Sequence, residues 1–154
     1  MKKRIISVLA SAALCAGILT GCSGSNSAAT DNSQGLVEIP DDAEAFTLGA
    51  VAPLSGSAAV SGQVMLNAVK MAVNEINENG GINGEIPIKL VYDDDEAIPA
   101  NSVTVTQKLV EQNKVNALIG SVGSSCTLAN MKITEAAKIP QITSCSSNIT
   151  ITQQ

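Results

Sequence analysis

The sequence predicts a doubly wound α/β fold on a parallel sheet, and three observations carry that reading. Apolar runs of strand length alternate with segments of helical period from Phe46 onward. The runs are continuously apolar rather than alternating, as in strands buried on both faces of a parallel sheet. Each pair of runs is separated by enough chain for a right-handed helical crossover.

The elements follow in order. Residues 46–52 read as the first strand, broken by Pro53-Leu54-Ser55-Gly56-Ser57. Residues 62–79 read as a helix, with Met65, Leu66, Val69, Val73 and Ile76 at spacings of three and four. Gly80-Gly81 ends it, as glycine after a helix commonly does, and Asn83-Gly84 supplies a further turn. Residues 87–92 read as the second strand, closed by Asp93-Asp94-Asp95-Glu96. Pro99 opens a second helix running to about Gln112, since proline is tolerated in a first turn. Residues 115–120 form the predicted third strand, 124–137 the third helix, and 140–143 the start of a fourth strand.

Ahead of this fold lies a different kind of segment. Lys2-Lys3-Arg4 is a basic start, and residues 5–18 are an apolar run too short to span a bilayer comfortably. Leu19-Thr20-Gly21-Cys22 follows, and it resembles the bacterial lipobox, in which the signal is cut before a cysteine that is then lipidated. Residues 1–21 therefore read as a lipoprotein signal peptide and Cys22 as the lipid attachment point. The alternative is a plain secretory signal with an incidental cysteine. Residues 22–45, rich in Ser, Ala, Asn, Gly and Asp, read as a flexible tether with a reach on the order of 25 Å. Residues 46–154 are the folded part. The expected location is the extracytoplasmic face of a membrane, held there by the lipid on Cys22.

Composition narrows the function. Removing Lys2, Lys3 and Arg4 leaves 6 of the 9 basic side chains against 14 acidic ones, a net charge of −8 for residues 22–154. An acidic chain with one Tyr, one Phe and no Trp argues against nucleic acid as a partner. There is no His, which removes the usual general base and the commonest metal ligand. Only Cys126 and Cys145 remain once Cys15 leaves with the signal and Cys22 is modified. Two thiols do not make a disulfide scaffold, and free, partly buried cysteines are expected.

In a doubly wound sheet, ligands bind beyond the carboxyl ends of the strands. Those ends are residues 53–62, 93–98, 121–125 and 144–148, and three of the four are rich in Ser and Gly. The most telling is Ser121-Val122-Gly123-Ser124-Ser125, where a strand empties into small residues and a helix begins. Such a helix start gathers unpaired N–H groups and a partial positive charge, which suits a small anion. Ser124 and Ser125 also suit a simple helix cap. Asp93-Asp94-Asp95-Glu96 reads as a solvated turn rather than a calcium loop, because Ile98 stands where that loop needs glycine. No Gly-x-x-x-x-Gly-Lys-Ser/Thr run exists, and no cofactor is implied.

Taken together, several motifs resemble a known family. They are Leu48-Gly49-Ala50-Val51-Ala52-Pro53-Leu54-Ser55-Gly56, Asn74-Glu75-Ile76-Asn77 with Gly80-Gly81-Ile82-Asn83-Gly84, Tyr92-Asp93-Asp94, Ile119-Gly120 with Ser124-Ser125, and Pro140-Gln141-Ile142-Thr143-Ser144. In order and spacing they are similar to the leucine/isoleucine/valine-binding type of solute-binding protein that serves ABC importers. The resemblance implies a type I periplasmic-binding-protein-like fold of which this chain holds the first lobe only. It implies capture of an amino acid between two lobes and delivery to ABC permease subunits. By position it implies ligand contact from Ser124, from the Cys145 carbonyl and from the hydroxyl and N–H of Ser147. Ser61 falls where some relatives carry an aromatic beside the ligand. A cysteine pairing found in some relatives is absent, since residues 93–100 contain no cysteine.

Two other classes compete. The same lobe could sense a ligand for a partner protein rather than feed a transporter. A surface-anchored serine hydrolase needs a base, and neither His nor a Ser-x-x-Lys pattern supplies one. Radiolabelled palmitate is expected to enter the wild-type chain but not Cys22→Ala; equal labelling of both would dismiss the lipobox.

Overall fold

The computed structural model describes residues 35–40 and 42–153; the predicted signal peptide, Cys22 and tether residues 22–34 lie outside them. The strands are β1 (Phe46–Ala52), β2 (Ile88–Asp94), β3 (Ala117–Ile119) and β4 (Gln141–Ile142). The helices are α1 (Ala59–Glu78), α2 (Pro99–Glu111) and α3 (Ser124–Ala136), with 3-10 turns at Gly56–Ala58 and Ile149–Ile151. All pairings are parallel, in the order β2-β1-β3-β4. The α/β parallel sheet read from the sequence is therefore the fold observed.

Register explains why β2 outruns its predicted end at Tyr92. Phe46 lies opposite Ile88, and the ladder continues until Val51 meets Asp93 and Ala52 meets Asp94. The β1 backbone supplies partners past the last apolar side chain, so polarity does not end the strand. Along β2 the side chains alternate between faces. Ile88 and Leu90 join Ala50, Leu66 and Val73 in the cluster beneath α1. Val91 joins Val51, Leu109, Val115 and Leu118 in the cluster beneath α2.

The two faces are held differently. Beneath α1 the contacts are apolar. Between α2 and α3 runs a buried polar seam of Ser102, Thr106, Cys126 and Asn130, while the buried Thr127 and Thr134 turn to Ser146 and Gln141. In the amide orientation its neighbours require, Asn130 donates to the Cys126 carbonyl (3.2 Å) and accepts from Thr106 Oγ1 (3.2 Å). The expectation that every strand is covered on both faces holds only in part. On the α1 side, Ile119 and Ile142 line an open apolar groove of about 570 Å³ with Val64, Ala68 and Ala72, and Ile142 is 68 % exposed.

The end of the predicted tether is not free. Leu36 packs against the α1 cluster. The buried Asn74 side chain accepts from Val37 N–H (3.1 Å) and donates to the Gly35 carbonyl (3.0 Å). A short polar-flanked stretch gives no periodic signal, so composition alone hid this anchoring.

Helix α1 begins three residues earlier than its predicted start at Gly62, because the Gly56–Ala58 turn runs straight into it. Gly62 lies inside the helix as a point of close approach: a Cβ there would stand 1.8 Å from the Pro53 carbonyl oxygen. The same β1–α1 loop is held by Asp94, whose Oδ1 accepts from Leu54 N–H (2.7 Å) and Glu96 N–H (2.8 Å). Burial pushes the Asp94 carboxyl up, but hydrogen bonds from the Ser55 hydroxyl and from the N–H groups of Glu96, Leu54 and Ser55 outweigh it. The net pKa lies below its ordinary value of 3.8.

Gly62→Ala is expected to destabilise the chain by about 1–3 kcal/mol in urea unfolding, since Pro53 must move to admit the methyl group. Asp94 has a depressed folded pKa, so its contribution is present above the ordinary value and is lost as pH falls from there through the lowered folded value. Stability measured by circular dichroism is therefore expected to drop below about pH 4, and Asp94→Asn is expected to flatten that part of the profile.

Candidate functional site

The carboxyl ends of the strands are tied together by one buried carboxylate. Asp95 follows β2 and is fully buried. Its Oδ2 accepts from Ser102 Oγ on α2 (2.9 Å) and from Ser121 Oγ after β3 (2.5 Å), and its Oδ1 accepts from Ala97 N–H (3.0 Å). The reading of Asp93–Glu96 as a solvated turn is therefore corrected at Asp95. Strand alternation gives the reason: Val91, Asp93 and Asp95 share the α2 side of the sheet, where Lys108 Nζ meets Asp93 Oδ2 at 2.7 Å and Ser102 meets Asp95. That parity was present in the sequence, but the acidic run obscured it.

Ser121 carries the link onward. Its carbonyl accepts from Thr127 Oγ1 (3.2 Å), Thr143 Oγ1 (2.9 Å) and Ser146 Oγ (3.2 Å). The preceding Gly120 carbonyl accepts from Gln141 Nε2 at 2.8 Å. Gly120 itself is required, with φ +117 and a Cβ position 2.0 Å from the Val51 carbonyl oxygen. The loops after β3 and β4 are thus joined through one peptide segment. Sequence reasoning missed Asp95, Ser121 and Ser146 because their partners lie 7 to 26 residues away.

Ser124 is the first residue of α3, but it is not the cap. Gly123 holds the cap position and no side chain caps the helix. The N–H groups of Ser124, Ser125 and Cys126 precede the first helical bond, from Thr127 N–H to the Gly123 carbonyl (3.0 Å). Ser124 Oγ accepts from Asn148 N–H at 3.3 Å. That bond occupies a lone pair and leaves the hydroxyl proton available for an acceptor placed before the helix. The helix dipole favours a negative charge there.

Of the other predicted contacts, Cys145 and Ser147 are exposed on the loop after β4, flanking the inward-turned Ser146. Ser61 is exposed on α1 and shares the lining of the apolar groove with Ser144 and Cys145. The structure thus brings Ser61 near Cys145, and the Ser124 hydroxyl to Asn148, beside Ser147. Both described cysteines are free; Cys126 is fully buried rather than partly so, and Cys145 is exposed. Burial and the Asp95 charge push the Cys126 thiol pKa up, so it stays neutral and unreactive.

A family model described as periplasmic binding protein matches residues 45–153. An "Amino acid binding protein" of Pseudomonas aeruginosa is 36% identical over 107 residues, which cover 70% of this chain and 28% of that protein. The branched-chain amino acid transporter substrate-binding protein LivJ of Streptococcus pneumoniae, solved with isoleucine, superposes with a TM-score of 0.68 at 32% identity. That match covers 71% of this chain and 31% of the other. A solute-binding protein of an ABC transporter from Rhodopseudomonas palustris, solved with 3,4-dihydroxybenzoic acid, gives 0.66 at 28% identity, over 72% and 30% of the chains. The chain thus spans under a third of the length of these relatives. With a family model matched across nearly all of the described residues and the parallel sheet in agreement, the chain belongs to the periplasmic binding protein family.

Proposed function

We propose that this chain forms the carboxylate-holding side of the cleft in an extracytoplasmic solute-binding component of an ABC importer. The observation that carries the reading is the start of α3, where no side chain caps the first-turn N–H groups and Ser124 stands as the first helical residue, its Oγ held by Asn148 N–H. An anion there receives charge-assisted hydrogen bonds and the favourable end of the helix dipole. The ligand is a small carboxylate, in the first instance a branched-chain amino acid. Cys145 offers its carbonyl and Ser147 its hydroxyl and N–H to the same ligand, and Ser61 leaves room at the side. The remaining contacts, and closure over the ligand, come from a second lobe of the kind the longer relatives have room for. Permease subunits receive the ligand, and the lipid on Cys22 with the tether holds the protein at the membrane.

A second ligand reading rests on the Rhodopseudomonas relative, whose 3,4-dihydroxybenzoic acid shares the carboxylate but lacks an ammonium group. A lobe that grips only the carboxylate suits both. Isothermal titration with L-isoleucine, L-leucine and 3,4-dihydroxybenzoate separates them. In a protein that carries both lobes, Ser124→Ala is expected to weaken carboxylate binding about tenfold or more, the value of a hydrogen bond to a charged group. Unchanged affinity would show that the first turn of α3 does not touch the ligand.

A further inference from the structure

We infer that Ser121 is the positioning residue of the cleft, setting the loops after β3 and β4 relative to one another without touching the ligand. The inference rests on the reading above that these two loops hold it.

Ser121 is fully buried and acts through two different groups. Its side chain is anchored to Asp95 Oδ2 at 2.5 Å. Its carbonyl is the shared acceptor for Thr127 on α3 and for Thr143 and Ser146 after β4. A carbonyl has two lone pairs and here meets three hydroxyl donors, so small rotations of this peptide redistribute its bonds. Ser146 has other partners at hand, Thr127 Oγ at 2.7 Å and the Val122 carbonyl at 3.4 Å. The Asp95 anchor removes that freedom by fixing the residue whose carbonyl is shared.

The consequence reaches both groups of ligand contacts. Ser124 lies three residues beyond Ser121, and Ser146 stands between Cys145 and Ser147. The Asn148 N–H bond to Ser124 Oγ closes the circuit between the loops. Ser102 is the natural control. It donates to the same Asp95 oxygen at 2.9 Å from α2, and its other partners, Cys126 and Asn130, lie on α3 rather than in either loop. A purely structural role for the carboxylate makes the two serines equivalent, whereas a positioning role separates them.

The test is amide hydrogen exchange on the ¹⁵N-labelled full chain, read at the bonded amides of Gly120, Thr127, Ser146 and Asn148. Ser121→Ala is expected to speed exchange at all four by about tenfold, the worth of one net hydrogen bond, while α1 amides keep their rates. Ser102→Ala is expected to lower the thermal midpoint similarly and leave the amides of Gly120, Ser146 and Asn148 unchanged. Equal acceleration in both variants, or none in either, overturns the inference. Should Ser121→Ala fail to fold, Ser146→Ala replaces it. There, faster exchange at Thr127 together with Asn148 supports the shared-acceptor arrangement, and a change confined to residues 144–148 defeats it. Titrating a protein that carries both lobes with L-isoleucine tests the ligand reading separately. An unmoved Ser124 amide defeats that reading, and the exchange comparison still decides whether Ser121 couples the loops.

Discussion

The carboxyl end of the sheet depends on the burial of Asp95. A carboxylate removed from water is costly unless its oxygens are hydrogen-bonded. Here the three donors come from the β2–α2 connection, from α2 and from the segment after β3. A shift of the β2–α2 connection strands Oδ1, and a shift of α2 or of the segment after β3 takes one of the two donors from Oδ2. Elements far apart in sequence are thereby made to move as one, and the loops at this end inherit that rigidity.

The two faces of the sheet answer to different physics. Beneath α1, Ala50, Leu66, Val73, Ile88 and Leu90 pack as an apolar cluster that has no directional requirement. Between α2 and α3, Ser102, Thr106 and Asn130 must each meet a partner at a set distance and angle. Such networks specify one arrangement where apolar packing tolerates several. The directional seam lies under the loop that starts α3 and holds that loop's hydroxyl groups in fixed positions. The open apolar face lies on the other side, where Ile119 and Ile142 remain uncovered among the described residues.

What was legible depended on the range of the interactions involved. Each helix of the described residues was found within a few positions of its predicted bounds, because a 3.6-residue period is local. The departures at α1 and β2 have tertiary causes: the Gly56–Ala58 turn feeding the helix, and β1 extending the ladder to Asp94. The turn reading of Asp93–Glu96 failed at one residue only. Strand parity put Asp95 on the α2 side, but no local rule announces that a Ser 7 residues on and another 26 residues on will receive it.

By itself the sequence determined the order of strands and helices and the parallel sheet, since periodicity and crossover handedness decide these. It also placed small hydroxyl-bearing residues at three of the four strand ends. The tertiary structure alone decided how those residues divide their work. Ser121 and Ser146 turn inward to hold the loops, and Ser124 keeps a proton to donate because Asn148 N–H occupies its oxygen. Serines of one chemical type differ only in which way they face, and that is set by partners distant in sequence.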